Sequence, residues 1–326
     1  MNAEGIPKGM KLSEAYRMAI EIGMDNDPRG RAAAEKELEE ARKAHAKLEG
    51  AEKEVHDEER LWNPYADSRF SWGDGDVEAE RLLWGIDIGT GEMVLADRLR
   101  ERGEKVSAVV GHHPLGLART PFPEVMGMQS DMYHGAGIPI NVCEGLMGKR
   151  MEEVSRAVLG SNYNQSVDAA RLLGIPLMNV HTPADNCVQK FFTDFFEEKD
   201  PRTLKEIIDG LMGVPEVREA ARWNSPPKII AGSGRNRAGK IVVKMTGGTS
   251  GPKEIYEKMA QSGIGTAVGM HFPESHVEEA KKNHVNLVVS GHMASDSIGM
   301  NVIADAWERE GIEVTPFSGF IRVSRN

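Results

Sequence analysis

The 326-residue chain has only two cysteines, Cys143 and Cys187. Two thiols cannot build a disulfide framework, and both lie in apolar settings, so they read as small buried hydrophobes of a reducing cytoplasm. Long apolar runs are also missing. No stretch approaches the length of a membrane span, and residues 1–24 lack the continuous apolar core of a secretory leader. These absences predict a cytoplasmic protein without membrane contact. Basic surplus is absent too: 40 Lys and Arg face 50 Asp and Glu, for a net charge of −10. Lys and Arg do not gather into a stripe with interleaved aromatics, which excludes a nucleic-acid-binding role. No internal repeat or low-complexity segment is apparent.

What remains is an ordinary globular composition, 40% hydrophobic and 28% charged, long enough for two domains or one large domain with an appendage. The apolar spacing of Lys11–Met24 predicts an amphipathic helix, broken by Asp25-Asn26-Asp27-Pro28. Residues 31–60, rich in Ala, Glu and Lys, predict a largely solvated helix interrupted near Gly50. The pair reads as a hairpin outside the main sheet, a packing or oligomerisation arm. Residues 61–76, rich in Pro, Gly and Asp, read as a connection to the body, pinned by its aromatics.

From Val77 the pattern is α/β. Val106–Val110 is a β-branched run that ends in Gly111-His112-His113-Pro114. Residues 175–180 run into His181-Thr182-Pro183-Ala184-Asp185, and residues 285–290 into Gly291-His292-Met293-Ala294-Ser295-Asp296. Three buried strands thus deliver His and Asp at their carboxyl ends, where open α/β sheets bind ligands. One such residue has a plain structural reading, since a strand-end His is often only hydrogen-bonded and Asp185 and Asp296 precede helices that they could cap. The coincidence of all three motifs points to a metal site for two ions. Imidazole and carboxylate without thiolate suit Zn, Fe(II), Mn or Co.

The remaining elements frame that site. Asp87 ends the strand at 81–88 and is an outer-shell candidate, as is Glu144 after a strand at 138–142. Residues 228–284 form a smaller βαβ unit whose loop, Thr246 to Gly251, is glycine-rich but matches neither a Walker A sequence nor the dinucleotide fingerprint. An ordinary tight turn and a phosphate cradle are both open for it. His271, His276 and His284 read as surface or capping residues, and a terminal strand is expected at 320–323.

With the three motifs in place, the sequence resembles the Nif-three-like dinuclear metal centre family, also called the GTP cyclohydrolase I type 2 homologue family. The resemblance covers most of residues 77–326. The family's His-His-Pro is matched by His112–Pro114, its His-Thr-x-x-Asp by His181–Asp185, and its Gly-His-x-x-Ser/Thr-Glu by Gly291–Asp296, with Asp in place of the final Glu. The resemblance implies a Nif-three-like α/β fold and a toroidal hexamer. It also implies that His112, His113, Asp185, His292 and Asp296 hold two divalent metal ions, with Zn, Fe or Mn expected. The shorter carboxylate at 296 bears on the bridge geometry and the metal preference. The expected organisation is an N-terminal hairpin and linker (1–76), a metal-binding α/β domain (77–227 with 285–326) and the smaller unit (228–284).

The leading functional expectation is a metal-dependent hydrolase acting on a nucleotide-like or other small molecule, with His181 transferring a proton or orienting Asp185. The alternatives are a non-catalytic metal storage or insertion protein and a regulatory ligand-binding module. The family label alone does not decide among them.

Overall fold

The computed structural model describes residues 9–326; the leader at 1–8 lies outside them. The chain opens with α1 (Leu12–Asp25), whose first turn is closed by the Glu14 carboxylate accepting from the Lys11 N–H at 2.8 Å. It continues through α2 (Arg31–His45), α3 (Gly50–Glu54) and a 3₁₀ turn at Glu58–Leu61.

The first sheet is assembled from β1 (Arg69–Trp72), β2 (Arg81–Gly85), β3 (Val106–Gly111) and β4 (Leu177–Asn179). Between β2 and β3 lies α4 (Thr90–Glu101). Between β3 and β4 lie short 3₁₀ turns, α5 (Met128–Gly135), α6 (Ile140–Val158) and α7 (Gln165–Leu173). After β4 come α8 (Thr182–Lys199), α9 (Leu204–Gly213) and α10 (Pro215–Arg222).

The second sheet is built from β5 (Lys228–Ala231), β6 (Lys240–Lys244), β7 (Ile264–Gly269) and β8 (Asn286–Val289). Its crossovers are α11 (Ile255–Gln261) and α12 (Glu274–Lys282). The chain ends with α13 (His292–Arg309) and β9 (Glu313–Pro316), which returns to the first sheet.

The strand orders are β1-β4-β3-β2-β9 and β5-β8-β7-β6. In each sheet the first strand is an antiparallel edge on the fourth, while the second, third and fourth run parallel. The fold is therefore built twice, a repetition that the sequence does not reveal. It also divides the chain differently from the expected organisation. The strand leading to His292 was expected in the ligand-bearing sheet with residues 285–326, yet Leu287 pairs with Ala267 and Ala231 in the second sheet. Both halves thus carry a sheet that feeds the site.

The N-terminal helix is no appendage. Leu12, Ala15, Ala19 and Gly23 are buried, and α1 packs on α8, where a Cβ at Gly23 would stand 2.5 Å from Pro183. The helix joins a core centred on Trp84 and Trp307, both buried, with ring centroids 4.6 Å apart. The linker at 61–76 contains β1, and the expected strand at 138–142 is instead the start of α6. Pro139 occupies the N-cap of that helix with extended ψ, where its missing N–H costs nothing. Residues 320–323 are not a strand. Ser297 and Asn301 of α13 take their backbone hydrogen bonds: Ile321 N–H donates to Ser297 Oγ at 2.9 Å, and Asn301 Nδ2 donates to Ile321 C=O at 3.0 Å.

Gly145 lies inside α6 with nothing within 4 Å of the position a Cβ would take. Gly145→Ala is therefore expected to stabilise the protein by about 0.5–1 kcal/mol, because a helical glycine loses more backbone entropy than alanine. Urea denaturation checks it as a higher midpoint at unchanged slope.

Candidate metal centre

Both halves end the same way at their fourth strand, with a His and an Asp four residues apart at the start of a helix. In the first half these are His181, the N-cap of α8, and Asp185 in its first turn, and in the second His292 and Asp296 on α13. A spacing of four puts the two side chains on one helix face. The helices α8 and α13 pack together, so the two pairs converge. β3 supplies the third group, His112 and His113, from the turn after Gly111.

The five residues implied as ligands are brought together, and His181 joins them. Ligand-capable atoms lie within 4.8 Å of one another in three overlapping sets: His112, Asp185 and Asp296; His113, His292 and Asp296; and His112, His113 and His181. Asp296 belongs to two sets and divides its oxygens between them. Its Oδ1 is 3.7 Å from His112 Nε2, while Oδ2 is 3.8 Å from His113 Nε2 and 3.6 Å from His292 Nε2. Asp185 lies 3.4 Å from His112 Nε2 and 3.6 Å from His181 Nε2. The shorter aspartate therefore still spans the cluster.

Three of the imidazoles are locked from behind. His112 Nδ1 is 3.0 Å from the Val180 carbonyl, His113 Nδ1 2.7 Å from Asp87, and His181 Nδ1 2.6 Å from Asp67. Such contacts orient each ring so that Nε2 faces the cluster, the arrangement in which a histidine ligates. Asp87 thus sits where the sequence suggested. Glu144, by contrast, is exposed on α6 and makes no hydrogen bond in the site. Asp67 was not anticipated. It lies just before β1, wholly buried, and its Oδ2 also accepts from Thr182 Oγ1 at 2.6 Å.

The donor set fits a cation. His112 Nε2, Asp185 Oδ1 and both Asp296 oxygens are buried without any hydrogen-bond partner. Orphaned buried charge costs several kcal/mol, and these four atoms share one small space. Atoms ligating a common ion at 2.0–2.2 Å stand roughly 3–3.5 Å apart, close to the separations seen. Without an ion, only protons can balance the carboxylates. Burial raises the Asp296 carboxyl, but His112, His292 and His113 outweigh it and bring it down to about 2. Burial likewise opposes the charge on His112, yet Asp296 and Asp185 raise its pKa well above the ordinary value. The cluster is closed towards the core and open on one side, Asp296 being 1% exposed and His292 42%. The open side faces the second half, where the Thr246–Gly251 loop and His271 line a cavity shared with His181, His292 and Asp296. His271 is thus part of the site's surroundings, with its ring centroid 4.9 Å from that of His292.

No family model matches the sequence, and no curated protein does. Solved structures do match. A NIF3 superfamily protein from Sphaerobacter thermophilus is 25% identical over 95% of this chain and 99% of its own, with a TM-score of 0.75. A protein designated ybgI, of unknown function, is 13% identical over 86% of this chain and 97% of its own, TM-score 0.48. Reduced HcgD from Methanocaldococcus jannaschii is 12% identical over 76% and 86%, TM-score 0.47. Among the described residues no helix is long and apolar enough to cross a membrane.

Proposed function

We propose that this chain, a NIF3-like protein, holds two divalent metal ions and acts as a metal-dependent hydrolase on a small, nucleotide-like molecule. The observation that carries the reading is the set of four orphaned, buried ligand atoms on His112, Asp185 and Asp296, with one carboxylate shared between two clusters. His112 with Asp185 would hold one ion, His113 with His292 the other, and Asp296 both. When bound, such a pair supplies an acidified water and a Lewis acid for a carbonyl, amidine or phosphoryl group.

The chain's own residues do the rest. Val180, Asp87 and Asp67 fix the rings of His112, His113 and His181, so the donors need not reorganise on loading. His181 is the residue suited to move a proton or to orient Asp185, because Asp67 holds its Nδ1 and leaves Nε2 towards the site. The open side at His113 and His292 favours a reacting centre over a closed structural one. The ring-shaped homo-oligomer implied by the resemblance is part of the proposal. It is supported by the exposed Leu117, Leu159 and Leu172 on the segment joining β3 to β4, and sedimentation velocity tests it.

The deciding experiment is metal stoichiometry by mass spectrometry on untagged protein beside a His112→Ala/His113→Ala variant. About two ions per chain, lost in the variant, are expected, followed by hydrolysis of a nucleotide panel by the loaded wild type alone. Substoichiometric metal that the variant does not change, and that added ions do not restore, overturns the reading. Metal exchange to an acceptor without turnover of any substrate would instead establish metal delivery.

Asp67→Asn should weaken metal binding, because Asp67 holds His181 and His181 in turn orients the ligand Asp185; losing an outer-shell partner of this kind costs about 10- to 100-fold in metal affinity. Competition against a chelator measures it. An unchanged affinity would mean that His181 neither ligates nor orients a ligand.

A further inference from the structure

The wall facing the candidate metal centre belongs to the second half of the fold. Strand register gives its correspondence with the first half. Gly85 pairs with Gly111 and Lys244 with Gly269, so Met270 and His271 follow β7 as His112 and His113 follow β3. The second half therefore repeats the His113 position and replaces His112 by methionine. A methionine beside an exposed imidazole makes no second hard-cation site, which leaves His271 free for another role next to His292.

Lys244, at the end of β6, stands on the same wall. Its ammonium has no carboxylate within salt-bridge distance among the described residues. Several other partly buried cations are paired with a carboxylate, as Arg29 is with Asp27, Arg69 with Asp57, and Arg322 with Asp305. The surroundings of Lys244 Nζ are instead aromatic, with the ring centroids of Tyr133, Tyr256 and Phe272 at 5.4, 5.5 and 5.9 Å. Ring faces stabilise an ammonium without neutralising it, as a carboxylate partner would. In a chain of net charge −10 this is a localised exception.

The loop after β6 completes the wall. Gly247 and Gly248 have φ of +90° and +78°, and a Cβ at Gly248 would meet Phe122 and Val125 at 3.0 Å, so the loop is folded tightly against the segment after the histidine pair. Gln129 Nε2 anchors it by donating to the carbonyls of Gly247 and Thr249 at 2.5 and 2.7 Å. Thr249 and Ser250 line the cavity, and among the described residues no protein group accepts their hydroxyls. One unpaired ammonium, an imidazole and two free hydroxyls make a donor-rich wall opposite the metal-binding residues.

We infer that Lys244, with His271, Thr249 and Ser250, binds the phosphoryl group of the substrate and so fixes the substrate class as a phosphate-bearing small molecule. The inference rests on reading the facing cluster as the metal centre. A carboxylate would use only two of the four donors, whereas a phosphoryl group offers three oxygens and up to two charges to them. Lys244 is a substrate-binding residue in this scheme and has no part in holding the metal.

The test is calorimetric titration of inorganic phosphate, at fixed ionic strength and with acetate as the control anion, into metal-loaded and metal-free protein. Wild type, Lys244→Met and Lys244→Arg are compared, with metal content and circular dichroism measured on each. Phosphate is expected to bind wild type at least tenfold more tightly than Lys244→Met at equal metal content, with Lys244→Arg recovering most of the loss and acetate binding much more weakly. Phosphate affinities within a factor of two for wild type and Lys244→Met overturn the inference, as do no phosphate binding by wild type and equal binding of acetate. Failure of the metal reading is separate. It would appear as wild-type protein that takes up no metal, and the metal-free titration still decides whether Lys244 binds phosphate.

Discussion

If the proposed centre holds two metal ions per chain, Asp296→Ala is expected to leave fewer than one, the largest single-residue loss of the five candidate ligand positions. The expectation follows from the division of its two oxygens, one towards His112 and the other towards His113 and His292. Removing His292 strips one set of ligands, whereas removing Asp296 strips two and takes away the charge that would hold the ions near each other. The effect should also appear in stability. Metal that binds only the folded state stabilises it by RT ln(1 + [M]/Kd), about 4 kcal/mol per site at a thousandfold excess over Kd. Saturating metal should therefore raise the melting temperature of wild type by many degrees and leave that of Asp296→Ala unchanged. The metal-free variant should remain folded, since the cores around Trp84 and Trp307 and around Phe192 do not depend on this carboxylate. A variant that keeps two ions, or that still gains stability from added metal, would show that Asp296 is not the shared ligand.

The histidines and carboxylates of this site were legible in the sequence because each group follows a short apolar run at a glycine or proline turn, and these three runs are strands buried in the two sheets. Their partners were harder to see. Asp67 lies in a stretch whose Pro, Gly and Asp content reads as a linker. Only the pairing of β1 with β4, Arg69 opposite Asn179, brings it behind His181. The alternation of Phe70 and Trp72 with polar neighbours was the one available signal for that strand. The same blindness applies to the duplication. Side chains in the two halves have diverged, Lys244 against Gly85 and Met270 against His112, while hydrogen-bond topology has not. His271 consequently reads as a surface residue until the register places it at the counterpart of His113. Local propensity misled where a cap or a side chain took over the backbone, as Pro139 does at the start of α6 and Ser297 and Asn301 do beside residues 321–323.

Gly299 carries the second large effect. It lies on α13 three residues after Asp296, where that helix crosses α8, and a Cβ there would overlap the carbonyl oxygen of Ala184, the residue before Asp185. The obstacle is helical backbone and cannot rotate aside. Gly299→Ala must therefore push apart the two helices that carry Asp185 and Asp296, outweighing the gain of about 1 kcal/mol that alanine brings to a helix interior. Overpacking of a close-packed core costs about 1–3 kcal/mol and more where backbone has to shift, so a net destabilisation of about 3 kcal/mol is expected. A leucine at this position should prevent folding. The displacement separates the helices that carry Asp185 and Asp296, whose oxygens lie 3.4 and 3.7 Å from His112 Nε2. Metal affinity should consequently fall with stability in Gly299→Ala, although no ligand is touched. Equilibrium denaturation of the metal-free protein and chelator competition on the loaded protein measure the two quantities separately. A loss of stability with undiminished metal affinity would mean that the ligands reach the ions independently of the helix crossing, and that the cluster is less rigidly organised than its buried, bond-locked imidazoles indicate.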